Sequence, residues 1–143
     1  EQLNQALETK ARELWSKSSA DPFVAFVGRE GSLPEFMTLL TRCSLVIAPS
    51  TGPLHLANAL NVPFLGIYPP ITVQHPRRWG PWGAERGKVL MPQVECPARY
   101  DCLGSACSFF PCMELISVTS MLREALDLLN KPLKNQTLMG LNT

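Results

Sequence analysis

The chain of 143 residues is long enough for one ordinary domain, and its 45% hydrophobic content argues for a globular chain rather than a disordered one. Thirteen Lys plus Arg stand against 12 Asp plus Glu, a formal charge of +1, which argues against a general nucleic-acid-binding surface. No apolar run approaches the roughly 20 residues that cross a bilayer, and no signal-peptide pattern opens the chain, so a cytoplasmic protein is expected. Because Glu1 already lies inside an amphipathic pattern, the sequence reads as a piece of a longer one.

Residues 1–18 place Leu3, Leu7, Ala11, Leu14 and Trp15 on one helical face, and Asp21-Pro22 ends that helix. Phe23 to Val27 reads as a short strand. Arg29-Glu30-Gly31 forms a loop into Ser32-Leu33-Pro34-Glu35, the spacing of a capping box. Phe36, Leu39, Leu40 and Cys43 then recur at helical spacing. Ser44 to Ala48 reads as a buried strand, and Ser50-Thr51-Gly52 makes a tight turn into a short helix that starts at Pro53. Asn61 suits the C-terminal cap of that helix, and Pro63 prevents its continuation.

Val62 to Tyr68 is a third apolar strand. Ile71 to Gly87 holds His75, Arg77, Arg78, Trp79, Trp82 and Arg86 among prolines and glycines and reads as a long structured loop. Lys88 to Met91 is a last short strand, followed by an irregular cysteine-rich stretch over 92–113. Val118, Met121, Leu122, Ala125, Leu126 and Leu129 mark a closing helix. The expected domain is therefore 1–130, with residues 131–143 a frayed tail. Alternating strands and helices with short links predict an α/β fold, a parallel sheet covered on both faces.

The free amides of the helix after Gly52 would face the carboxyl ends of the strands, where such sheets take ligands. With the Ser50 and Thr51 hydroxyls beside them, they suit a phosphate. On residue types alone an ordinary helix cap is the simpler reading. His55 stands one turn further on; alone, a histidine on an apolar helix is read as packed against a carbonyl. The tryptophans are read as pins holding their loop to the sheet, and the arginines as candidates for an anion. Cys43 belongs to a helix stripe. Cys96, Cys102, Cys107 and Cys112 fall at C-x5-C-x4-C-x4-C, which could make a zinc site. Without close C-x2-C pairs, packed thiols or a pair formed on oxidation are preferred, and none has a partnered base that would make it a nucleophile.

The string STGPLHLANALNVPFLGIYPP, followed by PRRWGPWG and later by Cys112-Met113-Glu114-Leu115-Ile116, resembles the carboxyl half of bacterial heptosyltransferases, glycosyltransferase family 9, over about residues 20–130. The resemblance implies part of the carboxyl-terminal, Rossmann-like domain of a GT-B enzyme. That domain binds the nucleotide-sugar donor, typically ADP-heptose. The amino-terminal domain binds the lipopolysaccharide-core acceptor and carries the general base. It further implies inverting transfer without a metal or other cofactor, and peripheral contact with the inner membrane.

Position by position, Ser50, Thr51, Gly52 and His55 match the family's donor diphosphate and sugar motif. Gly31, Ser32 and Leu33 match the loop where adenosine lies. Many members carry an acidic residue where this chain has Ser50. No catalytic residue is expected in this chain, because the first domain and the early donor-domain strands with their phosphate-binding lysine do not match it. Alone, the fragment is expected to be inactive. Two other functions compete: a GT-B-type nucleotide-sugar epimerase, and a non-catalytic α/β module that binds an anion or a partner.

Overall fold

The computed structural model describes residues 31–83 and 85–131. The chain divides into two compact units, residues 1–32 and 33–143. The helix expected over 1–18, the strand Phe23–Val27 and the tail beyond Lys131 lie outside the described residues.

The second unit opens with α1 (Leu33–Thr41), β1 (Val46–Pro49), α2 (Gly52–Ala59) and β2 (Phe64–Ile67). It continues with a four-residue helix α3 (Pro76–Trp79), then β3 (Gly87–Leu90) and α4 (Val118–Asn130). Single 3-10 turns stand at Thr72–Gln74, Gly104–Ala106 and Cys112–Leu115. The stretch expected as one long loop thus contains a 3-10 turn and a helix. His75 explains the helix: its Nδ1 accepts from the Arg77 amide at 3.1 Å, and Pro76 occupies the first helical position, where it has no amide to leave unpaired.

The three strands lie in the order β1-β2-β3, all parallel, with Val46 opposite Phe64 and Phe64 opposite Gly87. Side chains alternate across the sheet. On one face Val46, Phe64 and Tyr68 pack with Leu40, Leu54 and Ala57 of α1 and α2. On the other, Leu65 packs with Ala125 and Leu128 of α4. This is the Rossmann-like α/β arrangement with helices on both faces. Burying each of Phe64, Leu54 and Leu65 completely contributes about 1.5–3 kcal/mol.

α2 ends in a Schellman motif: the Val62 amide donates to the Ala57 carbonyl at 2.9 Å and the Asn61 amide to that of Asn58 at 3.0 Å. Asn61 takes the left-handed conformation this needs, φ 57°. The C-terminal signal read at Asn61 therefore has a geometric basis. Cys43 packs against the first core cluster, as its place on the stripe suggests.

The apolar pattern of α4 needs correction. Its buried side is Met121, Glu124, Ala125 and Leu128, whereas Val118, Leu122, Leu126 and Leu129 are exposed. A charged residue, Glu124, breaks the hydrophobic signal on the side that faces the sheet. Its carboxylate accepts from Lys88 Nζ of β3 and lies 3.5 Å from Arg123 Nη2. The Lys88 hydrogen bond, with Arg123 adding to it against the opposing effect of burial, holds this carboxyl below its usual range.

Two measurements test this packing. A Cβ at Gly87 would run into the Phe64 ring, so Gly87→Ala overpacks the sheet and costs about 1–3 kcal/mol, read as a lowered thermal midpoint. The Glu124 carboxyl, depressed in the folded state, stabilises fully above its unfolded value of about 4.3, and that stabilisation is lost as pH falls through the lower folded value. Glu124→Gln is therefore expected to lower the midpoint at pH 7 and to matter progressively less in acid.

Candidate ligand cleft at the carboxyl rim of the sheet

Parallel strands present all their carboxyl ends on one rim, and the residues just past β1 and β2 lie there. A cleft of about 540 Å³ opens at this rim. Pro49, Ser50 and Thr51 line it from β1 and the start of α2, and Ile67 and Pro69 from β2. Val73, Gln74, Trp79 and Met113 close the remaining sides. The far wall is tied in place from the cysteine-rich stretch. The Ala98 carbonyl accepts from the Thr72 amide and hydroxyl, both at 3.3 Å, and the Arg99 carbonyl accepts from the Val73 amide at 3.1 Å.

Among the described residues no charged side chain lines this cleft, and the donors they offer it are hydroxyls and amides. Thr51 holds the N-cap position of α2 but makes no side-chain cap. Its hydroxyl donates instead to the Pro49 carbonyl at 3.3 Å. The simple capping role that serine and threonine usually fill is thus not the one Thr51 performs. Pro53 removes one amide donor from the first turn, and the Leu54 amide donates to the Thr51 carbonyl at 3.1 Å. Among the described residues the Ser50 hydroxyl and the Gly52 amide make no hydrogen bond. A Cβ built on Gly52 meets nothing within 4 Å, so the backbone there is open to close approach.

His55 does not line the cleft. Its ring stands edge-on to Trp79, centroids 5.1 Å apart and planes at 70°. Its Nε2 is buried with no hydrogen-bond partner among the described residues. An unsatisfied buried nitrogen is costly, about 1–3 kcal/mol, and such atoms concentrate where function requires them.

The basic residues of the loop lie in different places. Arg86 precedes β3, so it lies at the amino rim, opposite the cleft, where its Nη1 donates to the Asn61 carbonyl at 2.6 Å. Arg77 and Arg78 are exposed on α3 and do not line the cleft. Trp82 does not pin the loop with its ring, which is 94% exposed; its carbonyl does, accepting from Asn58 Nδ2 at 2.7 Å. Leu33 opens α1 and is exposed. Gly31 and Ser32 precede it in the first unit and are exposed.

Cysteines 96, 102, 107 and 112 are free thiols, as is Cys43. Burial, and then the nearness of the other three, pushes the Cys112 thiol up, which keeps it protonated and a poor nucleophile. Among the described residues no group of three or more His, Cys, Asp or Glu side chains is arranged to hold a metal ion. No helix among the described residues is long and apolar enough to cross a membrane. Sequence reasoning missed Gln74 and Met113 as cleft residues. Gln74 carries no local signal and Met113 only its place in the Cys112–Ile116 string, since the fold alone brings them to β1 and β2.

An open parallel sheet with hydroxyls and an amide at its carboxyl rim defines the class of α/β proteins that take ligands beyond their strand ends. Over residues 4–107 the chain matches the family described as glycosyltransferase family 9 (heptosyltransferase), and it belongs to that family. A protein of Haemophilus influenzae named "Putative glycosyltransferase" is 45% identical over 58 residues, which is 41% of this chain and 17% of that relative's length. The chain thus corresponds to a small part of that relative. No solved structure matches it.

The His55 nitrogen gives a direct test of whether the residue serves packing or a ligand. His55→Leu removes the unpaired group, so if packing alone is at stake the thermal midpoint is expected to hold or rise.

Proposed function

We propose that this chain is the donor-binding part of an inverting glycosyltransferase that moves heptose from ADP-heptose to a lipopolysaccharide-core acceptor in the cytoplasm. The observation that carries the reading is the mouth of α2. Ser50 and Thr51 line an open cleft at the carboxyl rim of the sheet, and Gly52 follows them with its backbone unobstructed, in a chain of glycosyltransferase family 9.

Breaking the donor's glycosidic bond leaves a diphosphate whose negative charge grows in the transition state. Donors already aimed at that charge lower the barrier without having to reorganise, and removal of one such donor commonly costs 10²–10³ in rate, about 2.7–4 kcal/mol. Here the Gly52 amide and the Ser50 hydroxyl have no competing acceptor among the described residues, and α2, two turns long, adds the positive end of its dipole. Ser50 offers a hydroxyl where a carboxylate would repel the phosphates, which favours diphosphate contact at this position. The general base and the acceptor site are assigned to the domain this chain does not match. On this reading the cleft residues bind and orient the donor, and the adenosine lies on Gly31, Ser32 and Leu33.

An epimerase of the same architecture is a second reading, and an anion-binding module a third. Titration of ADP, ADP-heptose and UDP separates them: adenine selectivity supports the transferase, UDP preference the epimerase, and no nucleotide binding the module. Gly52→Val offers the sharper test. The open space above Gly52 accepts a side chain without clash, so the thermal midpoint should stay within a degree or two. Donor binding by the full-length enzyme should fall at least tenfold, about 1.4 kcal/mol, because the branched chain occupies the approach to the amide. Unchanged ADP-heptose affinity in that variant contradicts the proposal.

A further inference from the structure

Trp79 is used in an unusual way. A tryptophan in a loop ordinarily buries its ring to anchor the chain. In this protein the anchoring is done by the backbone around it. The Trp79 carbonyl accepts from the buried Tyr68 hydroxyl at 3.1 Å, and its amide donates to the His75 carbonyl at 2.9 Å. Gly80 closes α3 with its amide on the Pro76 carbonyl at 2.8 Å, and a Cβ at Gly80 would run into that same carbonyl. The helix is therefore held at both ends, and the indole is left 51% exposed, in contact with the His55 ring, on a residue that lines the cleft.

The walls of the cleft consequently differ in chemistry. Ser50 and Thr51 line one wall with hydroxyls, Trp79 and Met113 give another an apolar surface, and Gln74 adds an amide side chain. A diphosphate alone needs only the first. A ligand that uses both has an anionic end joined to a flat group with an apolar face. A pyranose ring has such a face, formed by its C–H bonds, with hydroxyls around its edge.

We propose that Trp79 is a specificity-determining residue of the donor site, its indole stacking on the C–H face of the sugar next to the diphosphate. This rests on the donor-site reading above and assigns to one side chain the recognition of the sugar as distinct from the nucleotide. Arg77 and Arg78, on the same helix, are not among the described residues that line the cleft.

The test is calorimetric titration of ADP and of ADP-heptose into the full-length enzyme and its variants. Trp79→Ala is expected to weaken ADP-heptose about tenfold, the effect of losing one aromatic contact, and to leave ADP within about twofold. Trp79→Phe keeps a smaller ring and loses less. Should Trp79→Ala fail to fold, Trp79→Leu makes the same comparison without a π face. Equal weakening of both nucleotides, or no change in either, overturns the assignment while leaving the donor site standing. If neither nucleotide binds the unaltered enzyme, the donor-site reading falls and this one with it.

Discussion

β2 is the strand on which the rest of this structure depends. It lies between two parallel neighbours, with Phe64, Leu65 and Tyr68 fully buried. A strand covered on both faces admits no polar side chain, and its packing leaves no slack. At Gly66 a Cβ would come within 2.8 Å of Leu54 Cδ2, and at Gly87 it would meet the Phe64 ring. Glycines at these two points let α2 and β3 close onto the strand. Tyr68, just past its end, has the one polar atom that must be satisfied, and burial pushes its phenol up. That hydroxyl reaches out to the Trp79 carbonyl and so fixes the wall of the cleft. Core packing and site geometry are thus joined through one side chain.

The cleft follows from the direction of the strands. Parallel pairing puts the ends of β1 and β2 side by side, and the turn from β1 into α2 has nowhere to go except over that rim. The turn is short, so the first amide of α2 and the adjoining hydroxyls stay close to the sheet. Among the described residues the lining of the cleft is polar without formal charge.

Opposite features fall on the opposite rim. Arg86, Asn61 and the residues leading into each strand gather at the amino ends, and the Lys88–Glu124 pair ties α4 to β3 on one face of the sheet. Within the basic loop, Arg86 thus ties β3's start to the end of α2. α4 keeps an exposed apolar row along Val118, Leu122 and Leu126 while Glu124 faces the sheet, an arrangement opposite to what hydrophobicity alone would place there.

Much of this protein was legible in its residues. Apolar runs of four to seven with proline and asparagine between them defined β1, β2 and α2, because backbone hydrogen bonding and side-chain burial act locally. The pattern around Ser50, Gly52 and Pro53 marked a helix start at a strand end, since few residue types tolerate that turn. The sequence could not say which side of α4 is buried, because Glu124 gains a partner only from β3. It could not separate Trp79 from Trp82 or Arg86 from Arg77 either, as identical side chains in one loop differ only in what the fold sets beside them. Gln74 and Met113 reach the cleft through contacts between segments far apart in the chain. Those contacts are decided by how the sheet stacks its strands, a property of the whole unit that no short stretch encodes.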